Sequence, residues 1–284
     1  MMSFKYRLVP IPAMTLSLAA CVAETDIGEP LGVEVSALVT DNALIPNALI
    51  PNALIPNALI PNALIPNALI PNALDPASLG AIRDPGQLGE VSRQFLRYAV
   101  GCALGATQVF SFSWTDAGGV VHGEVYPGVL GIAPSWATQP LNDVTKQRLV
   151  SGCIASRANY FGVNVVISLR SPQNPLRRLV PEAEVAAYPV IEGAFWGNLF
   201  TASPSIRACY HAAGVATARA ALRECAVGHL DAAGGVVPCG PIALAGACDV
   251  PCPNIDRSGR YYTGCSDPSG SGNVMQEVIT TALP

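Results

Sequence analysis

The sequence has little charge and almost no lysine. Charged residues make up 13% of its 284 residues, and lysine occurs only at positions 5 and 146. The formal net charge is -4 at pH 7. Nucleic-acid binding needs clustered Lys and Arg side chains that neutralise phosphates, and the sequence shows no such cluster. We therefore expect no nucleic acid among the partners.

Short motifs typical of common enzymes are also missing. The sequence contains no H-E-x-x-H, G-x-S-x-G, S-x-x-K or Walker-type stretch, which removes the usual anchors of zinc-protease, α/β-hydrolase, penicillin-binding and nucleotide-binding interpretations. Only three histidines occur: His122, His211 and His229. His122 and Glu124 would share one face of a strand, where a carboxylate can orient an imidazole. A solvated hairpin face explains this pair more simply, and we expect no catalytic residue, cofactor or metal ligand.

The amino terminus has too short an apolar run to span a bilayer. Lys5 and Arg7 precede about thirteen apolar-biased residues, 8–20, whereas a spanning helix needs roughly 20. A basic start, an apolar run and small residues predict an export signal over residues 1–20. The boundary Leu18-Ala19-Ala20-Cys21 resembles the lipobox of bacterial lipoproteins.

That resemblance implies a diacylglycerol linked through a thioether to Cys21, with cleavage just before it. Val22 rather than Asp follows, which by analogy implies an outer-membrane or cell-surface location. The partner of the anchor would be membrane lipid, held by acyl chains, because removing Lys5 and Arg7 makes the net charge more negative. An ordinary signal peptide cleaved nearby is the alternative.

Residues 21–41 form an acidic spacer, and a pentapeptide repeat follows over residues 42–76. Asn-Ala-Leu-Ile-Pro occurs six times without a mismatch over residues 42–71, and a seventh copy carries Asp75 in place of Ile. We call this segment the NALIP repeats. Proline at every fifth position excludes a continuous α-helix. An extended or turn-rich tether is the favoured interpretation, and a pentapeptide solenoid is the alternative.

Residues 79–284 carry the signals of a packed domain. Asp84 followed by Pro85 predicts the start of a helix, whose apolar positions run from Leu88 to Cys102. Alternation over 109–115, a Gly-rich turn and a return strand over 120–126 predict a β-hairpin. A second helix is predicted over 142–160, a strand over 163–169, a helix over 216–227 and a closing strand over 277–281. We predict an α+β domain with a loop-rich carboxyl-terminal part.

Eight cysteines remain in this domain once Cys21 is set aside. In an exported chain an even number predicts disulfides rather than a metal site. Two predicted helices carry Cys102 and Cys153 on apolar faces, so these two form the first predicted pair; Cys209 with Cys225 is the second. The last four are then expected to pair among themselves, and their spacing does not match the paired knuckles of structural zinc. They are Cys239, Cys248, Cys252 and Cys265.

One aromatic segment has the composition of a binding surface. Phe195, Trp196 and Phe200 lie among small residues over 192–200 and are candidates for an exposed stacking platform for sugar or peptide. Core packing is the competing interpretation. Trp136 and His211 are interpreted as loop residues.

Three functions remain open. The sequence favours a lipid-anchored cell-envelope protein that displays a binding or adhesion domain on a repeat tether, with a cell-wall glycan or a protein as its ligand. A structural component of the envelope that assembles through the repeats is the first alternative. A secreted hydrolase is the second.

Overall fold

The computed structural model describes residues 80, 82–201, 203–267 and 270–284. The predicted signal sequence, the lipobox with Cys21, the acidic spacer and the NALIP repeats lie outside these residues. The described part is a disulfide-linked domain of helices and strands. The sequence predicts this mixture of elements and the presence of disulfides.

The hairpin forms where the sequence predicts it, whereas the first helix begins two residues later than predicted, with Gly86 rather than Asp84 as its N-cap. Helix α1 spans Gln87–Ala103 and is followed by strands β1, Val109–Thr115, and β2, Val121–Pro127, which pair antiparallel. Asp84 accepts a hydrogen bond from the Gly86 amide at 2.7 Å, just before the helix begins. The predicted apolar face is correct except at Leu88, which is 62% exposed.

Helix α2, Val144–Ser156, is shorter than predicted. Asp143 is its N-cap and accepts a hydrogen bond from the Lys146 amide at 3.2 Å. Before it, a 3₁₀ turn at Pro134–Ala137 places Trp136 in the core, fully buried. Helix α2 packs on a five-stranded sheet.

That sheet has the order β3-β12-β4-β5-β8, and all neighbours are antiparallel except β5 and β8. The closing strand, β12, therefore lies inside the sheet rather than at its edge. The strand predicted over 163–169 is limited to β3, Ser168–Arg170. The five strands are β3 Ser168–Arg170, β4 Val190–Asn198, β5 Ser205–Tyr210, β8 Ile242–Ala247 and β12 Ile279–Leu283.

Short elements connect and flank this sheet. The helix predicted over 216–227 is confined to α5, which ends at Ala220. The helices are α3 Leu176–Leu179, α4 Glu182–Ala187 and α5 Val215–Ala220, with a 3₁₀ turn at Ala212–Gly214. The strands are β6 His229–Leu230, β7 Val236–Val237, β9 Asn254–Ile255, β10 Tyr262–Ser266 and β11 Val274–Met275.

The sheet separates two apolar clusters. Neighbouring side chains of a strand point to opposite faces, so Phe195 of β4 joins the large cluster formed with α1, α2 and the hairpin. Trp196 joins a smaller cluster on the opposite face, together with four cysteines and Tyr262. The loop-rich carboxyl-terminal part covers this second face.

The eight cysteines form four disulfides. The predicted pair Cys102–Cys153 is confirmed. The predicted pair Cys209–Cys225 is wrong, because β5 and β8 are neighbouring strands and bring Cys209 to Cys248 across 39 residues of sequence. Cys225 bonds instead to Cys239. Of the last four cysteines only Cys252 and Cys265 pair with each other.

The four disulfides indicate an exported protein, since such bonds persist in oxidising compartments. Within the described ranges, no helix combines the length and the apolar character needed to cross a membrane.

Candidate ligand-binding cleft

The aromatic segment does not form an exposed platform. Phe195 and Trp196 are completely buried, and Phe200 is 3% exposed. The Trp196 indole N–H donates to the Ser266 carbonyl at 2.8 Å, and Phe200 packs edge-on against Trp136 with ring centroids 5.5 Å apart. These side chains are core residues of β4 and the turn after it, because β4 is covered on both faces.

His122 and Glu124 do not contact each other through a hydrogen bond. His122 Nε2 lies 2.8 Å from Asp116 Oδ2, and the Trp114 indole N–H donates to Glu124 Oε1 at 3.1 Å. The His122 ring stacks on Trp114 with centroids 4.6 Å apart. Hydrogen bonds from His122 and the turn amides hold the pKa of Asp116 below its usual value. These contacts stabilise the hairpin turn.

A cleft of about 290 Å³ opens where β5, β8 and the β9–β10 hairpin meet. Its walls are mostly apolar and carry a few polar groups, a combination typical of sites for small ligands. The lining residues are Tyr210, His211, Ala212, Ala247, Cys248, Asp249, Cys252, Pro253, Ile255 and Tyr262. We call it the His211 cleft.

Two disulfides fix the walls of the His211 cleft. Cys209–Cys248 joins β5 to the segment after β8, and Cys252–Cys265 joins that segment to β10. The two bonds are in contact, with 3.5 Å between the sulfur atoms of Cys209 and Cys252. The Cys252 amide also donates to the Cys248 carbonyl at 2.8 Å. A wall held in this way loses little conformational entropy when a ligand binds.

The polar groups of the cleft converge on Tyr262. Its hydroxyl lies 2.8 Å from His211 Nδ1. Burial, reinforced by the Asp249 carboxylate, raises the pKa of Tyr262 to about 12, so the phenol keeps its proton at neutral pH. The Asp249 side chain is exposed at the cleft. Two aromatic rings, an imidazole and a carboxylate thus border one small space.

This arrangement suits a ligand with both apolar faces and hydroxyl groups. A tyrosine ring offers an apolar surface with a polar end. A carboxylate accepts hydrogen bonds from hydroxyls, and an imidazole nitrogen donates or accepts one according to its tautomer. Among the residues that line the cleft, Asp249 is the single carboxylate. Elsewhere in the described chain, no three His, Cys, Asp or Glu side chains are grouped to hold a metal ion.

The sequence predicts a loop at His211, and no motif singles out Asp249 or Tyr262. The available signal was their position beside cysteines: His211 lies two residues after Cys209, and Asp249 follows Cys248 directly. That signal becomes informative only when the pairing of Cys209 with Cys248 is known, since the pairing brings the two segments together.

Comparison of the chain with protein-family models, curated proteins and solved structures finds no match to any of the three.

Proposed function

We propose that the protein is a lipid-anchored protein of the bacterial cell envelope that displays a glycan-binding domain on the NALIP tether. The observation that carries the proposal is the His211 cleft, whose tyrosines, imidazole and carboxylate lie between disulfide-fixed walls. The lipobox-like sequence ending at Cys21 supports the anchor, and the four disulfides support export.

Binding suits this cleft better than hydrolysis. Glycoside hydrolysis generally uses two carboxyl groups on either side of the scissile bond, whereas Asp249 is the single carboxylate of the lining. The side chains of His211 and Tyr262, which also line the cleft, contact each other. Each therefore fixes the orientation of the other. We therefore assign the cleft to recognition of an uncharged sugar ring.

A glycan array that includes peptidoglycan fragments, probed with the oxidised mature protein, tests this assignment. The variant Asp249→Asn should weaken the best glycan's binding by up to about tenfold, because a neutral amide oxygen is a weaker hydrogen-bond acceptor than the carboxylate it replaces. Glu90→Gln is a matched control because it removes the same charge from an exposed site on α1. Equal affinities of both variants, or the absence of saturable binding to any glycan, would contradict the proposal.

Deleting residues 42–71 separates the binding function from the assembly alternative. A displayed binding domain keeps its glycan affinity after the deletion, because the His211 cleft lies wholly within residues 210–262. An envelope component that works through its repeats loses its assembly while glycan binding stays absent in both forms.

A further inference from the structure

A second cleft lies on the other side of the β9–β10 hairpin. Its volume is about 290 Å³, and polar groups dominate its surface. Ile255 and Tyr262 of this hairpin line the His211 cleft, whereas their neighbours Asp256 and Tyr261 line the second one. The lining residues of the second cleft are Arg170, Ser171, Leu176, Arg177, Val180, Asp256, Ser258, Arg260 and Tyr261. We call it the arginine cleft.

Arg170 forms the floor of the arginine cleft and is 1% exposed. Its guanidinium donates from Nε to Ser168 Oγ at 3.0 Å, from Nη2 to the Tyr188 carbonyl at 2.6 Å and from Nη1 to the Arg260 carbonyl at 3.4 Å. A guanidinium has five N–H donors, so two remain for another acceptor. Burial holds the pKa of Arg170 below its usual value.

A hydrogen-bond chain behind Arg170 fixes its orientation. The Ser168 hydroxyl, which accepts from Arg170, donates to Glu184 Oε1 at 2.6 Å. Burial raises the pKa of Glu184, while the Ser168 hydroxyl and the Arg170 charge act in the opposite direction. This chain ties β3 to α4 and holds the guanidinium of Arg170, a lining residue of the cleft, in one orientation.

The charges that line the arginine cleft favour an anion. Three guanidinium groups, on Arg170, Arg177 and Arg260, stand against the carboxylate of Asp256. Asp256 is occupied by its own loop, where its oxygens accept hydrogen bonds from the amides of Ser258, Arg260 and Tyr261. At the rim Arg260 is paired with Glu182, whose side chain is 78% exposed. The Arg170 charge is balanced in part by the Glu184 carboxylate on the other side of Ser168. Arg170 therefore offers a ligand its two remaining N–H donors, and Arg177 offers its charge.

We propose that the arginine cleft binds an oxyanion, a carboxylate or a phosphate group, through the guanidinium groups of Arg170 and Arg177. Arginine suits this role because its planar donors match the oxygens of both groups. The site is independent of what the His211 cleft binds, so the two assignments stand or fall separately.

The test is titration calorimetry on the oxidised mature protein with sodium phosphate and, separately, sodium succinate, a carboxylate without a sugar ring, at constant ionic strength. The matched variants are Arg177→Met and Arg178→Met, because both residues are exposed on α3 and only Arg177 lines the cleft. Loss of a charge-assisted hydrogen bond should weaken binding about tenfold or more in Arg177→Met. Arg178→Met should change affinity less than about twofold, as screening reduces the effect of a charge outside the site.

Saturable binding of phosphate alone assigns a phosphate ligand, binding of succinate alone assigns a carboxylate, and either supports the site. Equal weakening in the two variants would show attraction to net charge and would overturn the proposal. Absence of saturation for both anions would overturn it as well, and neither result would affect glycan binding in the His211 cleft.

Discussion

Among single residues, Arg223 and Glu192 form an ion pair in the interior of the domain. Both side chains are completely buried, and Arg223 Nη2 donates to Glu192 Oε2 at 2.8 Å. Arg223 also donates to the carbonyls of Ala158 and Ser156, at 2.8 and 2.9 Å. One guanidinium thus joins β4, the end of α2 and the segment after α5. Its charge is acceptable in the interior because every nitrogen has an acceptor.

We expect Arg223→Met to lower the free energy of unfolding by about 3–5 kcal/mol, because it leaves the Glu192 carboxylate buried without a partner. Arg219→Met is the control: Arg219 forms a partly exposed pair with Glu224 at 3.6 Å, and such pairs contribute about 1 kcal/mol or less. Denaturant unfolding of the oxidised protein measures both. The double variant Arg223→Met, Glu192→Leu should recover part of the loss, and a loss no greater than that of Arg219→Met would refute this account.

At the level of secondary-structure elements, the close packing of α2 on the sheet sets the geometry of the core. Gly152 faces the sheet, and a Cβ placed there would lie 3.0 Å from Ile279 Cγ1 and 3.1 Å from the Phe195 carbonyl oxygen. Glycine therefore lets the helix approach β4 and β12 closely. A larger side chain would push the helix away from strands that also position the cysteines of the opposite face.

Gly152→Val should reduce the free energy of unfolding by about 1–3 kcal/mol, the usual cost of overpacking a core. The matched control is Gly123→Val in β2, where an added Cβ meets no atom within 4 Å, and where valine suits a strand. Thermal unfolding of the two variants compares them directly. Equal melting temperatures would contradict the close approach of α2 to the sheet.

The sequence predicts the elements that have a regular pattern. Helix α1 and the β1–β2 hairpin show clear periodicities, and the helix predicted over 142–160 forms over Val144–Ser156. Strand β4 does not alternate, because both faces of this central strand are covered and its side chains are mostly apolar, with the buried Glu192 as an exception. Without alternation, its aromatic residues predict an exposed platform as readily as a core strand. Similarly, the pairing of β5 with β8 depends on contacts distant in sequence. The His211 cleft and the pairing of Cys209 with Cys248 are products of that topology.

For the whole molecule, the disulfides distribute stability unevenly. Cys102–Cys153 closes a loop of 51 residues between α1 and α2, whereas Cys225–Cys239 closes one of 14 around the β6–β7 hairpin. A disulfide destabilises the unfolded chain more when its loop is longer. All four of these cysteines are completely buried, so replacing each pair by alanine removes a similar amount of packing.

Replacing Cys102 and Cys153 by alanine should therefore cost about 4 kcal/mol, and replacing Cys225 and Cys239 about 3 kcal/mol. Denaturant unfolding of the two double variants gives the comparison. A greater loss for the shorter loop would show that local packing, and not chain entropy, decides what each bond contributes.

We propose an exported, lipid-anchored chain whose His211 cleft is held by two of its four disulfides. Mass spectrometry of a non-reduced digest of the protein purified from membranes tests it most directly. We predict an acylated peptide that begins at Cys21, together with linked peptides for Cys102–Cys153, Cys209–Cys248, Cys225–Cys239 and Cys252–Cys265. An unmodified Cys21 within an intact amino terminus, or free thiols at the eight domain cysteines, would contradict the account.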